Sequence, residues 1–367
     1  MIRVDHAELQ AVSETILEAL GAGGDVARDV ATHLVDADLR GHGSHGVRML
    51  DIYASLVDDG VLVPDATPTV ATLAPGCTAV DGRRGFGQVA GRVAVERGID
   101  RAEGGVSLVG ISGTTHLGRI GTYGERAAEA GMLFAALVNV PLTGDTGPVA
   151  PLGSTRGRLG TNPLCFAVPN FDAVEHPVVV DMATSQVAIG KIRRAAVSGE
   201  AIDPEWATTP DGEPITDAET YYEDDGVLLP LGGRSTGHKG FALAVAAELF
   251  GAIVGDGHVS GQPDIEWGNA GAFLVADPTV FSAREAIEDQ LSAFADHLRE
   301  SEYTDAIDAG KSTREDRGVL PGWSEYRVAE TNRRKGVPIP RGDLATLAAL
   351  ATDRGAGDVV PGDWPAE

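Results

Sequence analysis

The 367-residue sequence predicts an α/β fold, in which helices cover a sheet and a small helical unit precedes it. Three patterns indicate this class. Up to residue 67 apolar residues recur at helical spacing, from 68 to 280 strand-like runs alternate with helical patterns, and from 281 to 355 the chain is helical again. Alternation of this kind is typical of an α/β domain. We therefore expect a helical domain at 1–67, an α/β domain at 68–280, helical segments at 281–355 that pack back on the first part, and a frayed tail at 356–367.

The N-terminal unit is predicted to contain three helices. The first stops at Gly21 and has apolar residues at helical spacing, namely Leu9, Val12, Ile16, Leu17 and Leu20. Asp25 is a candidate N-cap for the second helix. The third is expected from about Ser44 to Val57, after the glycine-rich sequence GHGSHG, and Gly60 with two following prolines ends the unit.

Seven short runs rich in β-branched residues predict the strands of the sheet. They are TVATLA, CTAVDG, GVSLVGI, MLFAALVN, LCFAVP, PVVVDM and AFLVAD. Helices are expected at 88–103, 118–130, 185–197 and 238–254, and then at 282–300, 323–336 and 343–352. Residues 198–225 are rich in Pro, Asp, Glu and Gly and predict a long surface excursion.

The apolar patterning argues against export and membrane insertion. No uninterrupted apolar run reaches the roughly 18 residues of a spanning helix, and Glu248 and Gly251 interrupt the most apolar helical stretch, 241–254. The N-terminal sequence MIRVDHAELQ lacks the basic and then apolar regions of a signal peptide. We therefore expect a cytoplasmic protein that does not bind membranes.

The charge of the chain excludes nucleic acid as a partner. The formal net charge is −25, whereas nucleic acids and anionic lipids require basic patches. Only four of the 29 basic residues are lysines, and a surface this acidic is tolerated best where salt screens it. A halophilic source is therefore expected, with an acidic mesophilic enzyme as the alternative. The two cysteines, Cys77 and Cys165, are interpreted as buried thiols, and no metal site is expected.

The sequence Gly85-Phe86-Gly87-Gln88-Val89-Ala90 fits the pattern of a dinucleotide-binding turn. Chance matches are easy in a chain with 48 glycines, and no acidic residue ends a second strand about twenty residues further on. We therefore interpret this sequence as a structural turn, with a phosphate loop as the alternative.

Two imidazoles and a hydroxyl come together in Gly41-His42-Gly43-Ser44-His45-Gly46. A histidine can donate or accept a proton near neutral pH, and a neighbouring hydroxyl can fix its tautomer, as reduction of a ketone requires at the oxygen. Zinc binding by His42 and His45 is disfavoured because no third ligand stands close by. The alternative interpretation is a solvated turn.

A second polar stretch, Thr114 to Tyr123, follows a predicted strand and precedes a helix. Such a junction presents free backbone N–H groups and the positive end of a helix dipole, where an anionic cofactor or a carboxylate can bind. His116 would lie at the mouth of this junction. The alternative is a helix-capping or core histidine.

Three further glycine-rich stretches lie at the ends of buried elements, where α/β proteins usually bind ligands. They are Gly160-Thr161-Asn162-Pro163, Asp181-Met182-Ala183-Thr184-Ser185 and Gly237-His238-Lys239-Gly240. Lys239 stands out in a chain with so few lysines, although the start of a surface helix would also explain it.

These motifs occur in an order that resembles the malate/L-lactate dehydrogenase family, which is distinct from the Rossmann-type lactate dehydrogenases and includes ureidoglycolate dehydrogenase, sulfolactate dehydrogenase, diketogulonate reductase and piperideine-2-carboxylate reductase. The resemblance rests on GHGSHGV, the His116 to Tyr123 stretch, LGTNPLCFAVP, VVDMATS, GKI, LLPLGG, GHKGFALA and VLPGWSE. It implies a mixed-sheet NAD(P)-binding domain of non-Rossmann type, a small helical domain formed by N- and C-terminal segments, and a homodimer.

The resemblance also implies roles for individual residues. His45 is similar in position to a proton donor of the family, Ser44 to its orienting partner, and His116 to a proton acceptor or a cofactor contact. Thr161 is implied to contact the substrate. The cofactor, NAD or NADP with NAD favoured, is expected to contact His116, Leu117, Gly118, Arg119, Ile120, Asp181, Met182, Ala183, His238, Lys239, Leu320, Pro321 and Gly322.

Two departures from the family pattern concern the substrate. Several members hold the substrate carboxylate with an arginine four residues after this histidine, whereas here that position is Met49 and the arginine is Arg48. One residue turns a helix by about 100°, which rotates Arg48 away from that position. We nevertheless expect Arg48 to bind the carboxylate, with Arg119 as the next candidate, because a guanidinium fork suits a carboxylate. Lys191 stands in GKI, where the cyclic-imine reductase has an orienting acid.

Three hypotheses about function follow. The first is an oxidoreductase that transfers a hydride between a nicotinamide cofactor and a small 2-hydroxy acid or its 2-keto form. The second is a reductase of a cyclic imine carboxylate. The third is a non-catalytic protein that binds a small acid, and the presence of a candidate proton donor argues against it.

Overall fold

A seven-stranded mixed sheet forms the centre of the structure, a computed structural model that describes residues 1–144, 146–265, 267–304 and 318–365. The strands are β1 (Ile2–Val4), β2 (Thr69–Ala74), β3 (Cys77–Gly85), β4 (Val106–Thr114), β5 (Leu133–Asn139), β6 (Leu164–Val168), β7 (Val178–Met182), β8 (Ala207–Thr208), β9 (Val227–Leu228), β10 (Ala270–Ala276) and β11 (Val337–Ile339). The helices are α1 (His6–Ala19), α2 (Gly24–Leu39), α3 (Met49–Asp58), α4 (Gly87–Ala102), α5 (Gly121–Glu129), α6 (Ile189–Ser198), α7 (Ala218–Glu223), α8 (Gly233–Gly255), α9 (Arg284–Arg299), α10 (Trp323–Lys335) and α11 (Arg341–Asp353).

The predicted α/β class with a mixed sheet is confirmed, and the seven predicted runs form the seven strands of the sheet. Their order is β2-β3-β4-β10-β5-β6-β7. β3 and β4 are parallel, whereas the other neighbours are antiparallel. A parallel pair needs a crossover connection, and α4 provides it.

Both ends of the chain build the helical unit. β1 pairs with β11, and α1, α2 and α3 share one apolar core with residues of α10 and α11. Trp364 is buried in this core, so the expectation of a frayed tail is wrong at that residue. Burial of a large aromatic side chain stabilises the attachment of the chain end. Residues 305–317, which belong to the predicted C-terminal segments, lie outside the described residues.

Residues 198–225, which were predicted to form a surface excursion, are mostly exposed but also contain buried apolar residues that were not predicted. This part of the chain, with α6 and the short β8-β9 pair, encloses an apolar cluster of its own. The cluster includes Ile192, Ile202, Ala207, Ile215, Tyr221 and Leu228. Its members are spaced irregularly among Pro, Asp and Gly, so neither the helical nor the strand period reveals them.

The two faces of the seven-stranded sheet are covered unequally. On one face α4 and α5 cover a row of directly paired, buried residues, which are Val109, Phe273, Ala136 and Cys165. On the other face α8 packs so closely that a side chain at Gly110 would lie 2.0 Å from the carbonyl oxygen of Val254. Beside α8 on that face, Leu274 and Phe166 are exposed. Of the two cysteines, only Cys165 is buried, and Cys77 is half-buried.

Helix α8 is the one helix among the described residues that is long and apolar enough to cross a membrane by length and composition. It begins at Gly233, before the expected position 238, with an irregular turn at Thr236. Glu248 on its inner side is buried and accepts hydrogen bonds from Asn162 Nδ2 (2.9 Å) and from the backbone N–H of Ser260 (2.6 Å). The inner side of α8 is therefore packed and hydrogen-bonded within the protein.

Candidate active site

Two histidines that are distant in sequence meet where the helical unit contacts the sheet. His45 ends a single 3₁₀ turn (Gly43–His45) between α2 and α3, and His116 follows β4. Their rings stack with centroids 5.3 Å apart and planes inclined by 23°. Both side chains are half-buried. The structure thus unites two motifs that the sequence presents separately.

Ser44 lies against the ring of His45. Its Oγ is 2.9 Å from His45 Nδ1. The start of α6 stands on the other side of the serine, where a side chain at Gly190 would lie 2.7 Å from Ser44 Cβ. Nδ1 of His45 is thus engaged, and its Nε2 makes no hydrogen bond to any residue that the structure describes.

Both imidazoles are neutral in the free protein near neutral pH. Burial lowers the pKa of His45 to about 4; the charge of Asp181 opposes this shift, and the charges of Arg119 and Arg48 add to it. Burial also holds the pKa of His116 well below its usual range. Because a neutral imidazole has one N–H donor and one acceptor nitrogen, the pair can donate to an oxygen atom and also take a proton from it.

A buried carboxylate, Asp38, organises the turn that carries His45. Its Oδ2 accepts a hydrogen bond of 2.7 Å from the backbone N–H of Val47. Gly46 packs directly on it, since a side chain there would lie 2.0 Å from Asp38 Oδ1. Asp38 was not among the site residues predicted from the sequence. The available signal was its position on the apolar face of α2, in the series Val30, Leu34 and Asp38.

We expect Asp38 to make folding stability depend on pH. Burial raises the pKa of Asp38 to about 7, and the charge of Asp343 adds to this, whereas the Val47 N–H and Arg48 oppose it. An aspartate in an unfolded chain has a pKa of about 3.9. The contribution of Asp38 is therefore fully present below about pH 4 and is lost as the pH rises through about 7.

Asp38→Asn keeps an oxygen for the Val47 N–H but does not titrate. The free energy of unfolding of the wild type, relative to this variant, should therefore fall between pH 4 and pH 8. Urea denaturation at several pH values in one salt concentration measures the difference. Asp51→Asn, at an exposed position of α3, is the control. A wild-type-to-variant difference that is independent of pH would contradict the prediction.

His116 is held by two buried polar side chains that the sequence analysis did not select. Tyr53 Oη lies 2.9 Å from His116 Nδ1, and Gln88 Nε2 donates to Tyr53 Oη over 2.5 Å. Tyr53 also packs edge-on against Phe86 at 5.6 Å. A side chain at Gly87 would lie 2.4 Å from the carbonyl oxygen of His116. Gly87 thus permits close packing on His116, in accord with the interpretation as a structural turn.

Arg119 is at the centre of a buried ion-pair cluster. Its side chain is 3% exposed, and its Nη atoms lie 2.8 and 3.1 Å from the carboxylate of Glu125. Arg40 reaches the same carboxylate at 3.0 Å and so joins the helical unit to α5. Both terminal nitrogens of Arg119 are thereby engaged, which leaves little of this guanidinium for a substrate.

The N-terminus of α5 does not present the free N–H groups that were expected of it. Asp181 Oδ2 accepts a hydrogen bond of 2.7 Å from the N–H of Gly121 and so caps the helix. A carboxylate at this end is stabilised by the helix dipole and repels an anionic ligand. The expectation of a free anion site at this junction is therefore wrong for Gly121.

The stretch between His116 and α5 is turned into the protein. Leu117 and Ile120 belong to the core of the sheet domain. Gly118 packs on His33, since a side chain there would lie 2.3 Å from His33 Nε2. Within 116–120 the structure therefore leaves only the His116 side chain half-exposed.

Arg48 and Met49 lie in different environments. Met49 is buried in the core of the helical unit, whereas Arg48, immediately before α3, is half-buried. The rotation of about 100° between adjacent helical residues explains the difference. Of these two positions, 48 is the one at which a guanidinium remains accessible.

Three of the predicted ligand-contacting segments are joined through Thr184. Its N–H donates to the carbonyl oxygen of Thr161, the N–H of Leu231 donates to the carbonyl oxygen of Thr184, and the N–H of Gly240 donates to that of Leu231, at 3.0, 2.9 and 3.1 Å. These bonds bring the 161 loop, the end of β7 and the start of α8 together. Asp181, Met182 and Ala183 are half-buried there, and His238 and Lys239 are exposed.

The 320–322 segment lies along the outer edge of β7. The N–H of Val179 donates to the carbonyl oxygen of Pro321 over 3.0 Å, and Gly322, with a φ of +95°, packs on Val179. Leu320 is half-buried beside them. This segment therefore lies along the strand that carries Asp181, a residue whose charge acts on His45. Among the described residues, no cluster of three or more His, Cys, Asp or Glu side chains could hold a metal ion.

The fold and the site together define a class: α/β proteins with a mixed sheet that has one parallel pair of strands, and with two stacked imidazoles where a helical unit contacts that sheet. A family model described as malate/L-lactate dehydrogenase matches residues 4–348. L-lactate dehydrogenase of Cupriavidus necator is 38% identical over 265 residues, which are 72% of this chain and 74% of that protein.

Two further relatives match almost their full lengths. A Δ¹-pyrroline-2-carboxylate/Δ¹-piperideine-2-carboxylate reductase of Pseudomonas putida is 32% identical over 95% of this chain and 97% of its own. The structure of malate dehydrogenase from Pyrococcus horikoshii superposes with a TM-score of 0.82 at 30% identity, over 96% of each chain. This chain belongs to the malate/L-lactate dehydrogenase family, as the order of its motifs predicted, and it is an oxidoreductase of the dehydrogenase type.

Proposed function

We propose that this protein is an NAD(P)-dependent dehydrogenase of a small 2-hydroxy acid and that it also catalyses the reverse reduction of the 2-keto acid. One observation carries the proposal, which is the stacking of His45 and His116 close to the accessible Arg48. A hydroxyl group that loses a hydride must also lose its proton, and the adjacent carboxylate needs a cation. The names of the relatives, which refer to lactate, malate and cyclic imine carboxylates, support this substrate class.

The proposed oxidation moves one proton and one hydride. When bound, the nicotinamide would supply the acceptor for the hydride of C2 of the hydroxy acid. His45 Nε2 accepts the hydroxyl proton, which leaves a C=O bond, and Ser44 Oγ accepts a hydrogen bond from Nδ1–H of the ring. In the reduction His45 returns the proton to the oxygen. The low pKa of His45 suits the base role, and the carboxylate of a bound substrate favours the charged ring that reduction requires.

For the substrate carboxylate we propose Arg48, with Thr161 as a second contact. The alternative, Arg119, is engaged with Glu125 and nearly inaccessible, so we assign it to the ion-pair cluster that supports Asp181.

For the cofactor we propose the region where Thr184 joins the 161 loop, the end of β7 and the start of α8. Lys239 is exposed in the first turn of α8 after the irregular Thr236, where a cation and the dipole of the following helix both favour a phosphate. Asp181, Met182 and Ala183 at the end of β7, and Leu320, Pro321 and Gly322 along that strand, complete the proposed contact surface. Leu117, Gly118 and Ile120 are buried, and both backbone groups of Leu117 are hydrogen-bonded within the protein, so we do not propose these three residues as contacts. We favour NAD because the additional phosphate of NADP requires a further cation, and this chain is strongly acidic.

Lys239→Ala should weaken the binding of NADH about fivefold, which corresponds to ~1 kcal/mol, because one phosphate loses its cation. Fluorescence titration of NADH measures the dissociation constant. Lys335→Ala, at an exposed position of α10, is the matched control. An unchanged affinity in Lys239→Ala would remove this lysine from the proposed site.

The experiment that tests the function follows absorbance at about 340 nm, where reduced nicotinamide absorbs. NADH and NADPH are each offered with a panel of 2-keto acids and of cyclic imine carboxylates. Oxidation of cofactor with keto acids supports the proposal. Turnover of imines alone would establish the second hypothesis, which the Pseudomonas putida relative favours. Binding of both ligands without turnover would establish a non-catalytic binder.

We propose that the protein forms a homodimer through the face of the sheet that carries α8. The outward stripe of α8 is entirely apolar and exposed, and consists of Ala242, Leu243, Ala246, Leu249, Phe250 and Ile253. Phe166 and Leu274 are exposed on the same face of the sheet. Monomeric proteins rarely expose contiguous apolar surface of this extent. A second copy of the chain fits because a two-fold axis would pair this stripe with itself.

Ile253→Asp should convert the dimer to a monomer. This side chain is 76% exposed in one chain, and two-fold symmetry would place two buried carboxylates in the interface. Size-exclusion chromatography with light scattering distinguishes the 38.0 kDa chain from twice that mass. Val359→Asp, at an exposed apolar residue of the helical unit, should remain dimeric. A wild type that is monomeric at micromolar concentration would contradict the proposed homodimer.

We also propose that the protein acts in the cytoplasm and tolerates high salt. The acidic composition, with 54 Asp and Glu residues against 29 Lys and Arg residues, supports the second statement. Activity that is unchanged between dilute buffer and molar KCl would argue for the mesophilic alternative.

A further inference from the structure

A hydrogen-bonded chain runs from the interior of the protein to the ring of His116. Gln88 begins it near the start of α4, Tyr53 of α3 continues it, and His116 Nδ1 ends it. Gln88 and Tyr53 are both buried. Burial also raises the pKa of the Tyr53 phenol, so this hydroxyl keeps its proton.

The number of protons shared by Gln88, Tyr53 and His116 in this hydrogen-bonded series determines which nitrogen of His116 is protonated. Tyr53 has one hydroxyl proton, and its oxygen already receives a hydrogen bond from Gln88 Nε2. The proton of Tyr53 is therefore available to His116 Nδ1, which must accept it. A neutral imidazole whose Nδ1 is an acceptor carries its own proton on Nε2.

We propose that Tyr53, held by Gln88, is a positioning residue that fixes neutral His116 as the tautomer with its proton on Nε2. The inference rests on the proposed function for its catalytic meaning. His116 then presents an N–H donor to the substrate oxygen at all times, and His45 alone exchanges the proton. The two stacked rings therefore have different roles, a fixed donor and a proton exchanger, although both are half-buried.

This division suits the chemistry at the oxygen. When a keto acid is reduced, negative charge develops on the carbonyl oxygen, and a donor that is already in place stabilises it without reorganisation. If both rings could change tautomer, both would for part of the time present an acceptor nitrogen, and no N–H donor, to the substrate oxygen. A fixed donor at His116 excludes that arrangement.

The opposite orientation of the Gln88 amide predicts the opposite tautomer. Its carbonyl oxygen would accept the proton of Tyr53, and His116 Nδ1–H would then donate to the phenol. That arrangement leaves both amide N–H groups of Gln88 buried without a partner, whereas the present one leaves one N–H group and the carbonyl oxygen without one. Buried orphan N–H groups are rarer in proteins than under-satisfied carbonyl oxygens, which favours the present arrangement.

The first test is NMR of the ligand-free protein labelled with ¹⁵N-histidine, with His116 assigned by its loss in His116→Asn. We expect Nε2 to be protonated and Nδ1 unprotonated between pH 6 and pH 8. In Tyr53→Phe, which keeps the buried ring, His116 should become a mixture of tautomers. Tyr123→Phe loses a comparably buried hydroxyl, which donates to the carbonyl oxygen of Leu117, and should retain the wild-type signal. A wild-type His116 with its proton on Nδ1 would overturn the proposal.

The second test is kinetic. Tyr53→Phe should lower kcat for keto-acid reduction about tenfold, because the donor is in place for only part of the time. The KM for NADH should not change. Loss of the bond donated by Tyr53 should also raise the pKa of His116, because that bond stabilises the neutral ring. The part of the pH profile that reports the protonation of His116 should therefore move to higher pH, whereas Tyr123→Phe should leave it unmoved.

The two tests separate this proposal from the proposed function. Should no substrate of the panel be turned over, the function fails, and the NMR spectrum of the wild type still decides the tautomer without any variant. Should Tyr53→Phe be active with an unchanged pH profile and unchanged kcat, the positioning role fails even if the dehydrogenase reaction stands.

Discussion

His45→Ala is expected to lower kcat for keto-acid reduction by about 10²–10⁴ while the protein still binds NADH, because general acid catalysis contributes that factor. Hydride delivery creates an alkoxide whose charge must be quenched, and His45 Nε2 is the candidate source of the proton. Ser44→Ala should have a smaller effect, since the serine only holds Nδ1. Stopped-flow or steady-state measurements with saturating cofactor give kcat directly.

The pH dependence should identify the same residue. Because the pKa of His45 lies at about 4 in the free protein, kcat/KM for oxidation of the hydroxy acid should fall only as the pH drops towards 4. For reduction, which needs the imidazolium, kcat/KM should rise over that range. His45→Ala should lose this limb in both directions.

A rival assignment makes His116 the acid and leaves His45 to position the substrate. It predicts that His116→Ala is the more severe of the two alanine variants and that the low-pH limb survives in His45→Ala. Near-normal kcat in His45→Ala together with collapse in His116→Ala would decide for the rival. Circular dichroism of both variants controls for folding.

Arg48→Lys is expected to raise the KM of the keto acid more than tenfold with a smaller change in kcat. A lysine keeps the charge but loses the two parallel N–H donors that match a carboxylate. Arg28→Lys, on the exposed surface of α2, is the control for an arginine change without a ligand. Steady-state kinetics at saturating NADH separate KM from kcat.

An unchanged KM in folded Arg48→Lys would mean that the carboxylate is held elsewhere. Exchanging the two residues, in the double variant Arg48→Met and Met49→Arg, tests the geometry further. Because Met49 is buried in the helical core, a guanidinium there should destabilise the protein and should not restore binding.

The local sequence was sufficient for several features of the molecule. The period-2 and helical patterns placed all seven sheet strands and most helices, since burial of one face imposes those periods on neighbouring residues. GHGSHG indicated a polar turn with Ser44 beside His45, because residues adjacent in the chain remain adjacent in space. The order of the motifs indicated the family.

Contacts between distant residues depended on the tertiary structure. No period in the sequence indicates that His45 stacks on His116, or that Tyr53 and Gln88 hold the latter ring. Whether the N-terminus of α5 is free or capped depended on Asp181, a residue of another strand. A pattern reveals that a residue faces inward, but the packing of separate elements decides which partner it meets there.

The sequence pattern likewise does not show which side of helix α8 is exposed. The sequence marked α8 as the most apolar helix, and burial was the natural explanation for its apolar residues. The structure places only one side of that helix on the sheet and leaves Leu249, Phe250 and Ile253 outside. Composition by itself determined that this helix is long and apolar. Only the tertiary structure decided which side is buried, because the sheet packs against one side of the helix, at Gly110, and leaves the other side exposed.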